Sequence, residues 1–290
     1  MNPHIDWNFL RTKLQRGRWQ PMYNSEIHGY LKTLLKESYP DRTDLAEEYL
    51  AVFHNWIHSS QLNKLLGLDT FPHRDICVGV THSLDDLHVC HGGRLVALEK
   101  EYKYHWRIRP EMKMKKEEEL SEGDVLVLSL PFCNSGNIHY NMDNILKICL
   151  EKNIPLHIDS AWFEACRDIY FDYSHSAIQS VSFSLSKGLG LGAYRTGIRY
   201  SKERPPGPVT ITNDFRFYVH SSLWIGLKFM EKFSPDYLQN KYYKLYKEVC
   251  NKLELKTSST IFVAYEKNQD GNYYPVGLRP ILRWISEQRY

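Results

Sequence analysis

A lysine and an aspartate give this chain the means to act on a carbonyl. Asp159 closes the segment Ile154-Pro-Leu-His-Ile-Asp159, and Lys187 closes Val181-Ser-Phe-Ser-Leu-Ser-Lys187. Each charge stands where a short apolar run stops. In a parallel sheet those stops are the carboxyl ends of strands, the edge where ligands bind. An exposed lysine has a pKa of about 10.4 and is a poor nucleophile at neutral pH. Desolvation at a strand end lowers that value and frees the amine to form a Schiff base. The two residues lie 28 apart (187 − 159 = 28), enough for one helix and one strand, so they can end neighbouring strands. Ser184 and Ser186 add hydroxyls, and Gly188, Gly190 and Gly192 let backbone approach a ligand. Arg195 lies eight residues on (195 − 187 = 8) with a forked guanidinium suited to a phosphate dianion.

The elements that must position these groups follow from the apolar pattern. Residues 26–66 read as helical, with Ile27, Leu31, Leu34 and Leu35 at spacings of three and four, and 45–57 continues the style until Pro72. Short apolar runs then alternate with helical stretches. Strands are expected at 76–80, 95–98, 125–130, 154–158, 178–183 and 196–200, with helices from Leu84 and over 141–151. This alternation predicts an α/β fold with a mostly parallel sheet flanked by helices. Arg204-Pro-Pro-Gly-Pro208 reads as a rigid connector, 221–250 as helical, and the tail from Ile261 as a small strand-containing lobe. The expected organisation is an N-terminal helical segment over 1–70, a large ligand-binding domain over 71–205, and a C-terminal small lobe over 206–290.

Asp159-Ser-Ala-Trp162, Ser184-Leu-Ser-Lys187 and Arg195 together resemble the core of fold-type I pyridoxal-phosphate enzymes, nearest the class I/II aminotransferases. The resemblance covers roughly 70–205. It implies pyridoxal 5′-phosphate as cofactor, with Lys187 as its Schiff-base lysine, Asp159 on the pyridine nitrogen, and Ser184 and Arg195 on the phosphate, while Ser186 is a further cofactor-binding candidate. Pro131-Phe-Cys-Asn134-Ser-Gly136 is similar to the family's Asn-Pro-Thr-Gly turn, which implies Asn134 on the phenolic oxygen. The turn lacks its proline, so Cys133 is the alternative. Thr81-His82-Ser83 before a helix resembles the phosphate cup, since a helix N-terminus is an anion site. Tyr102 stands where the family stacks an aromatic on the ring, and Trp162 stands where many relatives have a tyrosine. The family's carboxylate-binding arginine implies Arg283, with Arg279 as alternative. A small lobe built from both termini, reduced in this short chain, and a homodimer are implied as well. So is transamination between a small-molecule amino donor and a keto acceptor, with decarboxylation, elimination, racemisation or a non-catalytic cofactor binder as the other readings.

Composition narrows the partners. The chain has 290 residues, 42% apolar and 24% charged, with a net charge of +3, too small for a nucleic-acid footprint. Lys113 to Glu119 mixes both signs and reads as a solvated face. No apolar stretch reaches the roughly 20 residues that span a bilayer, and Met1 to Asp6 lacks a secretory pattern. Six cysteines at 77, 90, 133, 149, 166 and 250 form no Cys-x-x-Cys pair, so a reducing, cytoplasmic setting is the expectation. His54 and His58 have a metal-capable i, i+4 spacing, but no glutamate between them and no evident third ligand, so they read as structural or surface histidines and no metal is expected. Gly188 to Gly192 lacks the Gly-x-Gly-x-x-Gly spacing of a dinucleotide loop. His157 shares the face of Asp159 and reads as sheet packing.

Overall fold

A computed structural model describes residues 5–15, 24–40, 42–102 and 112–288. Residues 1–4, where a leader pattern was sought, lie outside these. In chain order the elements are α1 (Trp7–Thr12), α2 (Ser25–Leu34), α3 (Leu45–His58), β1 (Lys64–Leu66), β2 (His73–Cys77), α4 (Val80–His91), β3 (Leu95–Leu98), β4 (Lys113–Lys115) and β5 (Val125–Ser129). Then come α5 (Met142–Glu151), β6 (Leu156–Asp159), β7 (Tyr170–Asp172), β8 (Ile178–Ser184), β9 (Gly197–Ser201), α6 (Pro208–Asp214), α7 (His220–Lys232) and α8 (Tyr237–Lys252). The chain closes with β10 (Lys256–Thr257), β11 (Val263–Lys267), β12 (Tyr273–Gly277) and α9 (Arg279–Gln288).

Seven strands form the central sheet in the order β2-β9-β8-β6-β5-β3-β4. All run parallel except β9, which pairs antiparallel with both β8 and β2. Strands covered on both faces read as unbroken apolar runs. Val125 to Ser129 is buried at every position. Its side chains alternate between faces: Leu126 and Leu128 join the larger core with Phe183 and Tyr200, whereas Val125 and Val127 pack with Leu84, Leu87 and Ala97 beneath α4. The helices supply matching stripes. Met142, Ile145 and Cys149 are the buried residues of α5, three and four apart, so one face of that helix meets the sheet.

Parallel pairing sets Ser129, Asp159 and Ser182 in one lateral row at the carboxyl ends of β5, β6 and β8. The expected α/β architecture is therefore the observed one, and the strand ends carry the residues singled out above. The charged run from Lys113 is a correction. It opens with edge strand β4 and a 3-10 turn at Glu117–Glu119, because Met114 reaches the core while its lysine neighbours face outward. Residues 26–66 likewise hold two helices and then β1, which pairs with β7.

The second unit is a three-stranded antiparallel meander, β10-β11-β12, followed by α9. Gln15 and Gly277 exchange backbone hydrogen bonds of 3.1 and 2.9 Å, so the chain's N-terminal part is stitched to this small lobe.

Candidate functional site

A narrow cleft opens at the carboxyl edge of β5, β6 and β8, lined by Tyr102, Ser129, Pro131, Cys133, Asp159, Ala161, Trp162 and Lys187. Asp159 is the last residue of β6 and is buried. Its Oδ1 accepts the Ala161 N–H at 2.9 Å, which fixes the carboxylate in the wall. Lys187 lies three residues past the end of β8, its Nζ 5.5 Å from the centre of the Tyr102 ring. Burial holds the Lys187 amine below the usual lysine range, helped by the Arg279 charge, opposed by Asp159 and helped again by Arg195. An amine poised in this way is more nearly neutral than a surface lysine and can attack a carbonyl.

The loop after Lys187 is clamped from beneath. Glu164 is fully buried and accepts the N–H groups of Gly188 at 2.6 Å and Leu189 at 3.3 Å. Burial pushes its carboxyl up to about 8, against the pull of those two N–H groups. A Cβ on Gly188 would lie 2.3 Å from Glu164 Cβ, so only glycine fits there. The sequence pattern did not single out Glu164. Its signal is an acid inside the otherwise nonpolar run Ala161-Trp-Phe-Glu-Ala-Cys166.

Near the cleft, a helix N-terminus and two serine hydroxyls come together. Helix α4 begins at Gly79, at φ 75° and ψ 178°, a region open in practice to glycine alone, and no side chain caps its first turn. A Cβ on Gly79 would sit 3.0 Å from Ser184 Oγ. Ser184 donates to Ser186 Oγ at 2.9 Å and accepts the Ser186 N–H at 3.2 Å, so both hydroxyls gather at this helix end. Thr81 lies on the first turn of α4. His82 Nδ1 accepts the Val78 N–H, and Ser83 accepts from Ser182 Oγ. Those two side chains thus hold the turn and the helix against the sheet. Arg195 is exposed and lines an adjoining hollow with Val78, Thr196 and Tyr218.

The structure separates two pairs of candidates. Cys133, not Asn134, lines the cleft; Asn134 opens into a neighbouring cavity with Phe132 and Tyr265. The turn points one residue earlier because Cys133 N–H is anchored on Ser129 Oγ, which donates to buried Glu101. Burial and Glu101 push the Cys133 thiol well above its ordinary range, so it stays protonated. Arg283 lies exposed on α9 with Nε on Glu287 Oε1 at 2.9 Å. Arg279 is the buried arginine, 5% exposed, its guanidinium carbon 4.0 Å from the Phe262 ring centre and 5.7 Å from that of Trp162. Its Nε has no hydrogen-bond partner, and among the described residues no carboxylate pairs with it.

The mostly parallel sheet flanked by helices is the fold of solved aminotransferases and of a PLP-bound C-S lyase. Solved structures carry the same architecture. The PLP-bound C-S lyase of Staphylococcus hominis superposes with a TM-score of 0.65 at 12% identity, covering 99% of this chain and 92% of that one. The aromatic aminotransferase of Pyrococcus horikoshii OT3 gives 0.62 at 12%, covering 98% and 97%. Substrate-bound BacF of Bacillus subtilis gives 0.62 at 13%, covering 94% and 88%. No protein-family model matches the sequence, and no curated protein matches it.

Proposed function

We propose that this chain is a pyridoxal-phosphate enzyme that transfers an amino group between an amino acid and a keto acid. The observation that carries the reading is the convergence of Lys187, Asp159 and Arg279 around one cleft: the first two line it, and Arg279 lowers the Lys187 pKa from its place against Trp162. The lining suits the cofactor. Gly79 leaves room beside Ser184 for an anion at a helix end, Asp159 offers a fixed carboxylate to a ring nitrogen, and Tyr102 and Trp162 are flat walls. When bound, pyridoxal phosphate supplies an aldehyde and an electron-withdrawing ring. Lys187 would hold that aldehyde through its amine and, when free, would carry the substrate's α-proton as acid and base. Asp159 would face the ring nitrogen and favour its protonated form. Arg279 would bind the substrate carboxylate.

Adding single amino acids to the cofactor-loaded protein should convert its absorbance from the aldehyde to the amine form, and a keto acid should reverse it. Release of a keto acid in one step, with no reversal, would support a lyase instead, the second reading that the C-S lyase similarity favours. Arg279→Met should raise KM about tenfold or more, the loss of a charge-assisted hydrogen bond of about 1.5–3 kcal/mol. Arg283→Met should leave KM within twofold. Equal effects of the two variants would remove Arg279 from its role.

A homodimer belongs to the same reading. Phe215 and Phe217 stack at 5.6 Å while 66% and 70% exposed, with Val219 and Ile211 beside them. Phe217 and Val219 share a hollow with Arg195, so a second copy seated there would close the phosphate end of the site. Sedimentation should show a dimer that Phe215→Ser with Phe217→Ser weakens at least tenfold; a wild-type monomer at micromolar concentration would exclude it.

A further inference from the structure

We propose that His54, His58 and Asp69 form a binding site for a divalent transition metal ion of the zinc class, remote from the cleft. The sequence alone offers only the histidine pair. Helix α3 places the two rings on one face, their centres 4.5 Å apart. The fold adds the third ligand, 11 residues past His58 (69 − 58 = 11), from the 3-10 turn Leu68–Thr70 that precedes β2. Asp69 Oδ1 lies 3.1 Å from His54 Nε2, and one donor atom from each of the three residues lies within 4.8 Å of the others. Tetrahedral zinc with bonds of about 2.0–2.1 Å spaces its ligand atoms roughly 3.3 Å apart, so small side-chain rotations complete the set.

Two further features favour a cation. His54 Nδ1 lies 3.0 Å from the hydroxyl of buried Tyr200, which orients the ring so that Nε2 faces Asp69. This is the partner arrangement that a metal-bound imidazole needs. His58 is the last residue of α3, where the carbonyl ends of the helix attract positive charge. One feature opposes binding. Arg74 also reaches Asp69 Oδ1, at 3.0 Å, so metal and guanidinium compete for that oxygen. Two imidazoles and one carboxylate select zinc, cobalt or nickel over magnesium or calcium, with water completing the shell.

The site is remote by topology. Arg74 pairs with Tyr200 near the end of β2 and β9 opposite to Cys77 and Gly197, and it is the latter end that leads to Gly79 and Ser184. Metal here braces α3 against the sheet edge rather than entering the chemistry.

The test uses the cofactor-loaded protein, stripped with a chelator and dialysed, then titrated with zinc by calorimetry and with cobalt by visible absorption. One equivalent should bind at micromolar or tighter affinity and raise the melting temperature. His58→Ala and Asp69→Asn, both at exposed positions, should each weaken binding at least tenfold. Arg74→Met should tighten it by freeing Asp69. Zinc binding no tighter than millimolar, or wild-type affinity in both His58→Ala and Asp69→Asn, overturns the site.

Discussion

Replacing Lys187 by alanine should lower turnover of every accepted amino acid by a factor on the order of 10²–10⁴ or more, the span assigned to a positioned acid–base group alone. On the proposed function the loss has two sources, since the same amine would both attach to the cofactor and move the proton. The fold should persist. Lys187 is only half-buried, and its charge is already disfavoured by its surroundings, so its removal leaves no stranded partner in the core. Circular dichroism and melting should match the wild type, and added methylamine should restore part of the rate by entering the vacated space. A variant retaining more than a tenth of wild-type turnover would remove Lys187 from the reaction.

The second large effect is on stability. Arg199, on the reversed strand β9, is buried between Asp75 and Asp86, bonding Asp75 Oδ2 at 2.9 Å and Asp86 Oδ2 closer still. Asp86 has no solvent exposure, and its Oδ1 accepts the Val209 N–H at 2.9 Å in the first turn of α6. One carboxylate therefore ties α4, β9 and α6 together. Asp86→Ala removes one of two counter-charges from a buried guanidinium and orphans a backbone donor. Breaking a buried ion pair from one side costs about 3–5 kcal/mol. Urea unfolding should show a loss of that size with the slope unchanged. A loss below about 1 kcal/mol would mean that water reaches Arg199 and replaces the missing carboxylate.

The sequence was legible where chemistry coincides with an interrupted pattern. Lys187 and Asp159 are charges that stop apolar runs, and in this fold such stops are strand ends beside a cleft. The strands at 95–98, 125–129 and 178–184 lie within a residue of their expected bounds, because burial on both faces leaves unbroken apolar stretches. Direction was not legible. Nothing local in Gly197–Ser201 says that β9 runs against its neighbours; the long-range pairing decides it. Arg279 and Arg283 differ by one helical turn, so periodicity puts them on similar faces, and only the packing of α9 separates the buried one from the exposed one. Cys133 and Asn134 are neighbours in a turn, and Ser129 with Glu101 settles which faces the cleft. Asp69 as a partner for two histidines depends on a turn that no motif announces.

Glu164 and Gly188 have a consequence for how this loop can evolve. The acid's side chain fills the volume that any other residue at 188 would need, and its oxygens hold the backbone there. Neither position can drift alone: a larger residue at 188 collides, and a shorter one at 164 strands two amides. Substitution at either position should therefore be tolerated only together with a compensating change at the other.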